Sequence, residues 1–154
     1  MTALKIGIAS LATRDVQELI TLHQRHMHQA SPPGTSFALD LSGLESPDIT
    51  VFEARKDGEL LGVGALKKLS STEGEIKSMR TAENALRMGV GQGLLDRIVA
   101  TAQDRGYGKL LLETGTGPIF EPANQLYLRN VFTRRGPFED YVETEFNIFY
   151  ERSL

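Results

Sequence analysis

Three glycines, Gly89, Gly91 and Gly93, occupy alternate positions in the stretch LRMGVGQGLLDRI (residues 86–98), at the head of an apolar helical repeat. The first amides of a helix have no intrahelical acceptor, and the helix dipole adds partial positive charge at that end. Glycine removes the Cβ atoms that would hold an anion away from those amides. The loop therefore suits a phosphate or diphosphate, and Arg80 and Arg87 lie near enough in sequence to pair with its oxygens. The same glycines also suit a tight strand-to-helix turn with nothing bound. Two known phosphate loops are excluded by spacing: the pattern is G-x-G-x-G rather than the dinucleotide G-x-G-x-x-G, and no G-K-[ST] follows.

Other chemistry-bearing residues are sparse. The chain has no cysteine, which excludes disulfides, thiolate metal sites and a Cys nucleophile. His23, His26 and His28 crowd one segment, but only His23 and His26 are three apart, so no metal site is expected.

The elements that must position the glycine loop follow from periodicity. LKIGIAS reads as a first strand, and a helix is expected from about Arg14 to Gln29 with Thr13 at its N-cap. SPPGTSF breaks it, and residues 31–48 read as loop or short helix. Val51–Arg55 and Leu60–Leu69 form a hairpin about Asp57-Gly58. Residues 75–82 make a further strand, Gly91–Arg105 a helix closed by Gly106, and KLLLET (109–114) a strand buried on both faces. Strand, glycine loop, helix and strand make a βαβ unit. A helix over roughly Pro122–Val131 and a final strand FNIFYERSL, with Phe146, Ile148 and Tyr150 on one face, complete the chain. The pattern implies one α/β (α+β) domain over residues 1–154, a mixed sheet with helices on both faces.

Composition narrows the partners. A net charge of −3 argues against a nucleic-acid partner. No apolar run reaches the ~20 residues of a spanning helix, and no signal peptide is read, so no membrane association and a cytoplasmic location are expected.

The segment EIKSMRTAENALRMGVGQGLL (75–95), together with ETGTGPIFEPANQLYLRNVF (113–132), resembles the GNAT superfamily of N-acetyltransferases, and the element order matches over nearly the whole chain. In that family an Arg/Gln-x-x-Gly-x-Gly/Ala pattern binds the diphosphate of acetyl-CoA through backbone amides. Its glycines fall on Gly89 and Gly91, whereas its first position is Leu86, with Arg87 beside it. Val131 stands where the family often has glycine. The resemblance implies a mainly antiparallel sheet of about seven strands around one central βαβ unit. It also implies acetyl-CoA as co-substrate, held by the backbone of Met79 and Thr81 and by Met88, Gly89, Val90, Gly91, Gln92 and Gly93, with Asn124 on the pantetheine side.

Acyl transfer to an amine needs a base, an oxyanion donor and an acid for the departing thiolate. By position in the family pattern these are Glu75, the Met79 amide and Tyr127. Glu75 also reads as a solvated strand carboxylate, Tyr127 as core and Asn124 as a helix-start residue. Without cysteine, direct attack in a ternary complex is expected, with Ser78 a weak alternative nucleophile. In this fold the acceptor lies between the loop after the first helix and the late strand connection. There Phe37, Phe138 and Tyr141 are candidate walls, and Asp40, Glu113, Glu139 and Asp140 candidate partners for an ammonium. The expected acceptor is a small-molecule amine or amino-acid-like compound, and a homodimer is left open. Two rival readings are an acyl-CoA-binding sensor of the same fold and a nucleotide-binding oxidoreductase, the second disfavoured by the glycine spacing.

Overall fold

A computed structural model describes residues 4–33 and 38–154. Seven strands form one sheet in the order β1-β2-β3-β4-β5-β7-β6. In chain order these are β1 (Lys5–Ile8), α1 (Arg14–Ala30), α2 (Leu41–Leu44), β2 (Ile49–Lys56), β3 (Glu59–Lys68), β4 (Glu73–Thr81), α3 (Val90–Asp104), β5 (Lys109–Gly115), α4 (Glu121–Arg129), β6 (Thr133–Arg135) and β7 (Asn147–Ser153). Short 3₁₀ turns at Glu83–Ala85 and Pro118–Phe120 precede α3 and α4. Among the described residues only β4 and β5 run parallel, joined by α3; every other pairing is antiparallel.

Strand alternation sorts the core into two faces. Phe52, Ala54, Leu66, Ile76, Leu110 and Leu112 point to α3 and α4. Val51, Val63 and Ala65 point the other way, onto Val16, Leu19 and Ile20 of α1 and Leu44 of α2. On that second face Leu111 and Phe149 are covered by Phe138 of the β6–β7 connection. Burial of β5 on both sides agrees with its unbroken apolar run. Close approach of α3 depends on glycine in β3, because a Cβ on Gly62 would lie 2.6 Å from Val90 Cγ1.

Several local expectations hold. Asp57 and Gly58 both take positive φ (53° and 81°), as the tight primed turn requires. Others change. Thr13 takes the N-cap position of α1 but makes no side-chain cap. Asp40, expected to face an ammonium, caps α2 instead: its Oδ1 accepts from Gly43 N at 2.8 Å and Ser42 Oγ at 2.9 Å. The last helix ends at Arg129, short of Val131. Ile148 and Tyr150 share the α3 face, while Phe146 lies before the strand and is exposed. Phe37 lies outside the described residues.

Candidate active site

The parallel pairing of β4 and β5 ends at Ile76 opposite Leu112. Both strands continue, β4 to Thr81 and β5 to Gly115, each still paired on its outer edge. The strands therefore part and leave a fork. A bulge opens it. Val63 pairs with Arg80 and Ala65 with Lys77, so Gly64 alone faces both Ser78 and Met79. Ser78 absorbs the extra residue with a φ of 56°, and its buried hydroxyl has no partner among the described residues. Among those residues, no backbone bond crosses from positions 77–81 to β5. The inner edge of β4 is a row of main-chain groups open to an extended ligand carrying its own amides.

At the mouth of the fork stands the glycine loop. Gly89 sits at the N-cap of α3 with φ 79°. The first helical bond is Gly93 N to Gly89 O at 3.0 Å. The amides of Val90, Gly91 and Gln92 consequently have no backbone acceptor among the described residues, whereas Gly93, expected to share in the cradle, is already engaged. A Cβ at Gly89 would meet nothing within 4 Å, so the approach is clear. Met88 and Arg87 are exposed beside it, Arg87 with a φ of 66°. The Gln92 side chain is occupied with α4: it exchanges two 2.8 Å hydrogen bonds with Asn130, locking the start of α3 to the end of α4.

Arg80 departs from expectation. Its side chain lies on the α1 face with Val63, away from the glycine loop, and is hydrogen-bonded to the His26 ring. The bulge is the cause. One extra residue reverses strand parity, so Met79 packs on the α3 side and Arg80 turns to α1.

Titratable groups gather where the strands part. Glu75 is 2% exposed. The Tyr141 hydroxyl donates to its Oε2 at 2.5 Å, and the Lys77 ammonium donates to the same oxygen at 3.2 Å and to Tyr141 Oη at 2.7 Å. Burial and the neighbouring Glu75 carboxylate push the Tyr141 phenol well above its ordinary range. Lys77 and Glu113 are the first residues of β4 and β5 beyond the last parallel pair. Burial pushes the Glu113 carboxyl up to about 7, Glu75 adding to the rise and Lys77 opposing it. Phe138 and Tyr141 stack edge-to-face, and both pack on Phe149. Phe138 is thus part of the covering core, while Tyr141 reaches the carboxylates. Glu139 and Asp140 are exposed on the loop above. Lys77 was not anticipated; the E-x-K alternation at residues 75–77, which puts both side chains on one strand face, was the signal for it.

From α4, Asn124 is buried with both its amide hydrogens committed, to Gly115 O at 3.2 Å and Phe120 O at 3.0 Å, and its oxygen accepts from Tyr150 Oη at 2.9 Å. It ties the end of β5 to the start of α4. The Tyr127 ring is 4% exposed and packs against Phe132 and Tyr150. Burial pushes its phenol well above the ordinary value, so it stays protonated at neutral pH. Among the described residues no group of three metal-ligating side chains converges, and no helix is long and apolar enough to cross a membrane.

A fork between two parallel strands, a bulged β4 and an open helix N-terminus together make the candidate site. The model of the acetyltransferase (GNAT) family matches residues 14–131, and the chain belongs to that family. It is 43% identical to the uncharacterized N-acetyltransferase YsnE of Bacillus subtilis, over 97% of this chain and 99% of that one. It is 34% identical to the IAA acetyltransferase of Azospirillum brasilense, over 90% of each. A Klebsiella pneumoniae crystal structure superposes with a TM-score of 0.83 at 26% identity, covering 98% of this chain and 97% of the other. A GNAT family acetyltransferase from Elizabethkingia anophelis, solved with acetyl-CoA bound, shares the fold at TM-score 0.72 and 20% identity over 98% of each chain. The protein is an acyltransferase enzyme.

Proposed function

We propose that this acyltransferase is an acetyl-CoA-dependent N-acetyltransferase that modifies a primary amine of a small or amino-acid-like acceptor by direct attack in a ternary complex. The observation that carries the reading is the pairing of free amides at Val90, Gly91 and Gln92 with the open inner edge of β4. The residues fit the co-substrate: the amides suit its diphosphate, and the β4 edge suits an arm built of amides. Acetyl-CoA would supply the activated thioester.

The chain's own groups account for the remaining work. An alkylammonium with a pKa of about 10 must lose a proton before it can attack. Glu113, ionising at about 7, takes that proton near neutral pH. Glu75 holds Lys77 and Tyr141 in place behind it, which makes Glu75 a positioning carboxylate as much as a base. The new N–C bond forms as the C–S bond breaks. The Met79 amide, at the bulge, stabilises the oxygen that gains charge; the Tyr127 hydroxyl gives a hydrogen bond or proton to the departing sulfur, and the second proton, which the acylated nitrogen loses, restores the balance.

Thiol release tests this. Incubation with acetyl-CoA and a panel of primary amines should release free thiol with at least one acceptor. Tight acetyl-CoA binding with no release over the whole panel would replace catalysis with sensing.

A further inference from the structure

Arg80 is a half-buried cation with no role in the chemistry above. Among the described residues it forms no ion pair, and its one hydrogen bond is to the His26 ring. The undescribed residues, 1–3 and 34–37, carry no carboxylate side chain. A guanidinium has five donors; the Glu83 carboxylate acts on Arg80 only from beyond ion-pair distance, so its remaining donors are open to an anion from outside.

We propose that Arg80 and His26 bind a carboxylate of the acceptor, so that the preferred acceptor is an amine that also bears a carboxylate. The inference rests on the acyl-transfer reading and specifies the acceptor class within it.

Placement supports it. Arg80 directly follows the Ser78–Met79 bulge, where the acyl carbonyl is expected, and the bulge turns its side chain to the α1 face. That face also carries Lys77, as the pairing with Ala65 places it, and the Lys77–Glu75 contact puts Glu75 there too. Glu113 and Leu111, two apart on β5, share the same side. The α1 face of the sheet therefore carries the carboxylates Glu75 and Glu113 beside Lys77, and further along β4 a guanidinium with no ion pair among the described residues. A molecule with an ammonium and a carboxylate matches both. Lys77 does not compete for the carboxylate, because Glu75 already holds it at 3.2 Å. His26 meets the guanidinium through Nδ1, which leaves Nε2 for a second contact. Nearby, buried His23 has an Nδ1 with no partner among the described residues. Burial lowers its pKa to about 4, and the charges of Arg80 and His26 act in the same direction. An orphaned buried nitrogen beside an unpaired cation marks a polar site that the chain does not complete by itself.

The test compares amino acids with their amides as acceptors, following thiol release. The wild-type protein should favour the carboxylate form in kcat/KM by about 10–100-fold, the range for a charge-assisted bidentate contact. Arg80→Gln should bring that ratio close to one, Arg80→Lys should retain part of it, and the acetyl-CoA KM should stay within about twofold, since the side chain faces away from the glycine loop. A wild-type ratio near one, an unchanged ratio in Arg80→Gln, or a preference for aminophosphonates over amino acids would overturn the proposal. Binding separates this failure from failure of the enzymatic reading. N-acetylglycine, but not N-acetylglycinamide, should raise the melting temperature of the wild type and not of Arg80→Gln. That selectivity without thiol release from any acceptor would sink the acyl-transfer reading and leave the carboxylate site standing. Thiol release without the selectivity would do the reverse.

Discussion

Replacing Glu113 by Gln removes one ionisation at nearly constant volume, and its consequences can be worked from the structure. Glu113 is the first β5 residue past the parallel pairing. Its carboxyl moves from 4.5 to about 7, chiefly through burial. That displacement corresponds to about 3 kcal/mol of preference for the neutral form, and about 1–3 kcal/mol after its partial exposure is counted. The folded protein thus binds more protons than the unfolded chain between pH 4.5 and about 7. The contribution of this group to stability is fully present below pH 4.5 and is lost as the pH rises through about 7. Glu113→Gln, neutral throughout, should therefore be more stable than the wild type at pH 8 by about 1–3 kcal/mol and nearly equal to it at pH 4. Activity should move the other way. Wild-type kcat/KM should rise with pH through about 7, and the variant should lose that limb together with about 10²–10⁴-fold of its rate at pH 8. Urea unfolding at the two pH values and a steady-state pH profile read both effects. A variant that keeps the rising limb and gains no stability at pH 8 refutes the reasoning.

Three further perturbations probe separate parts of the account. Gly91→Glu should abolish acetyl-CoA binding by calorimetry: its Cβ would stand 3.3 Å from Leu126 Cδ2 and 4.0 Å from Thr81 Oγ1, which puts an anionic side chain at the mouth of the fork; a normal dissociation constant would contradict the site. Tyr127→Phe should lower turnover far more than acetyl-CoA affinity, and unchanged turnover would remove Tyr127 as the acid. Val131, a β-branched residue held at φ 70° and 70% exposed just past α4, should gain from Gly. Relief of about 1–2 kcal/mol of left-handed strain, less the backbone entropy that Gly adds to the unfolded chain, leaves about 1 kcal/mol, a rise of about 2–4 °C in Tm. A lower Tm for Val131→Gly would show that the strain is not real.

Much of this architecture was legible because its signals are local. The Asp57-Gly58 turn, the buried run at residues 110–112 and the strand–loop–helix–strand unit around Gly89 each declare themselves within a few residues. What escaped is non-local or non-periodic. Strand β6 is only three residues long, Thr133–Arg135, and its place at the sheet edge beside β7 is decided by tertiary pairing. The bulge at Ser78 uses a positive φ in a residue that is not glycine, so no composition cue announces it. That single missed residue misdirected Arg80, since strand parity without the bulge sends it to the same face as Ile76 and toward α3. The Glu75–Lys77–Tyr141 contacts join residues 66 apart in sequence, and only the folded sheet brings them together.

The central claim is that the free amides at the head of α3 hold a diphosphate while the fork receives the arm that follows it. A crystal structure of the acetyl-CoA complex measures this directly. Diphosphate oxygens should lie about 2.7–3.2 Å from the amides of Val90, Gly91 and Gln92, with the pantetheine arm running along β4 beyond Ile76. A diphosphate bound elsewhere, or an arm lying outside the gap between β4 and β5, would contradict the account.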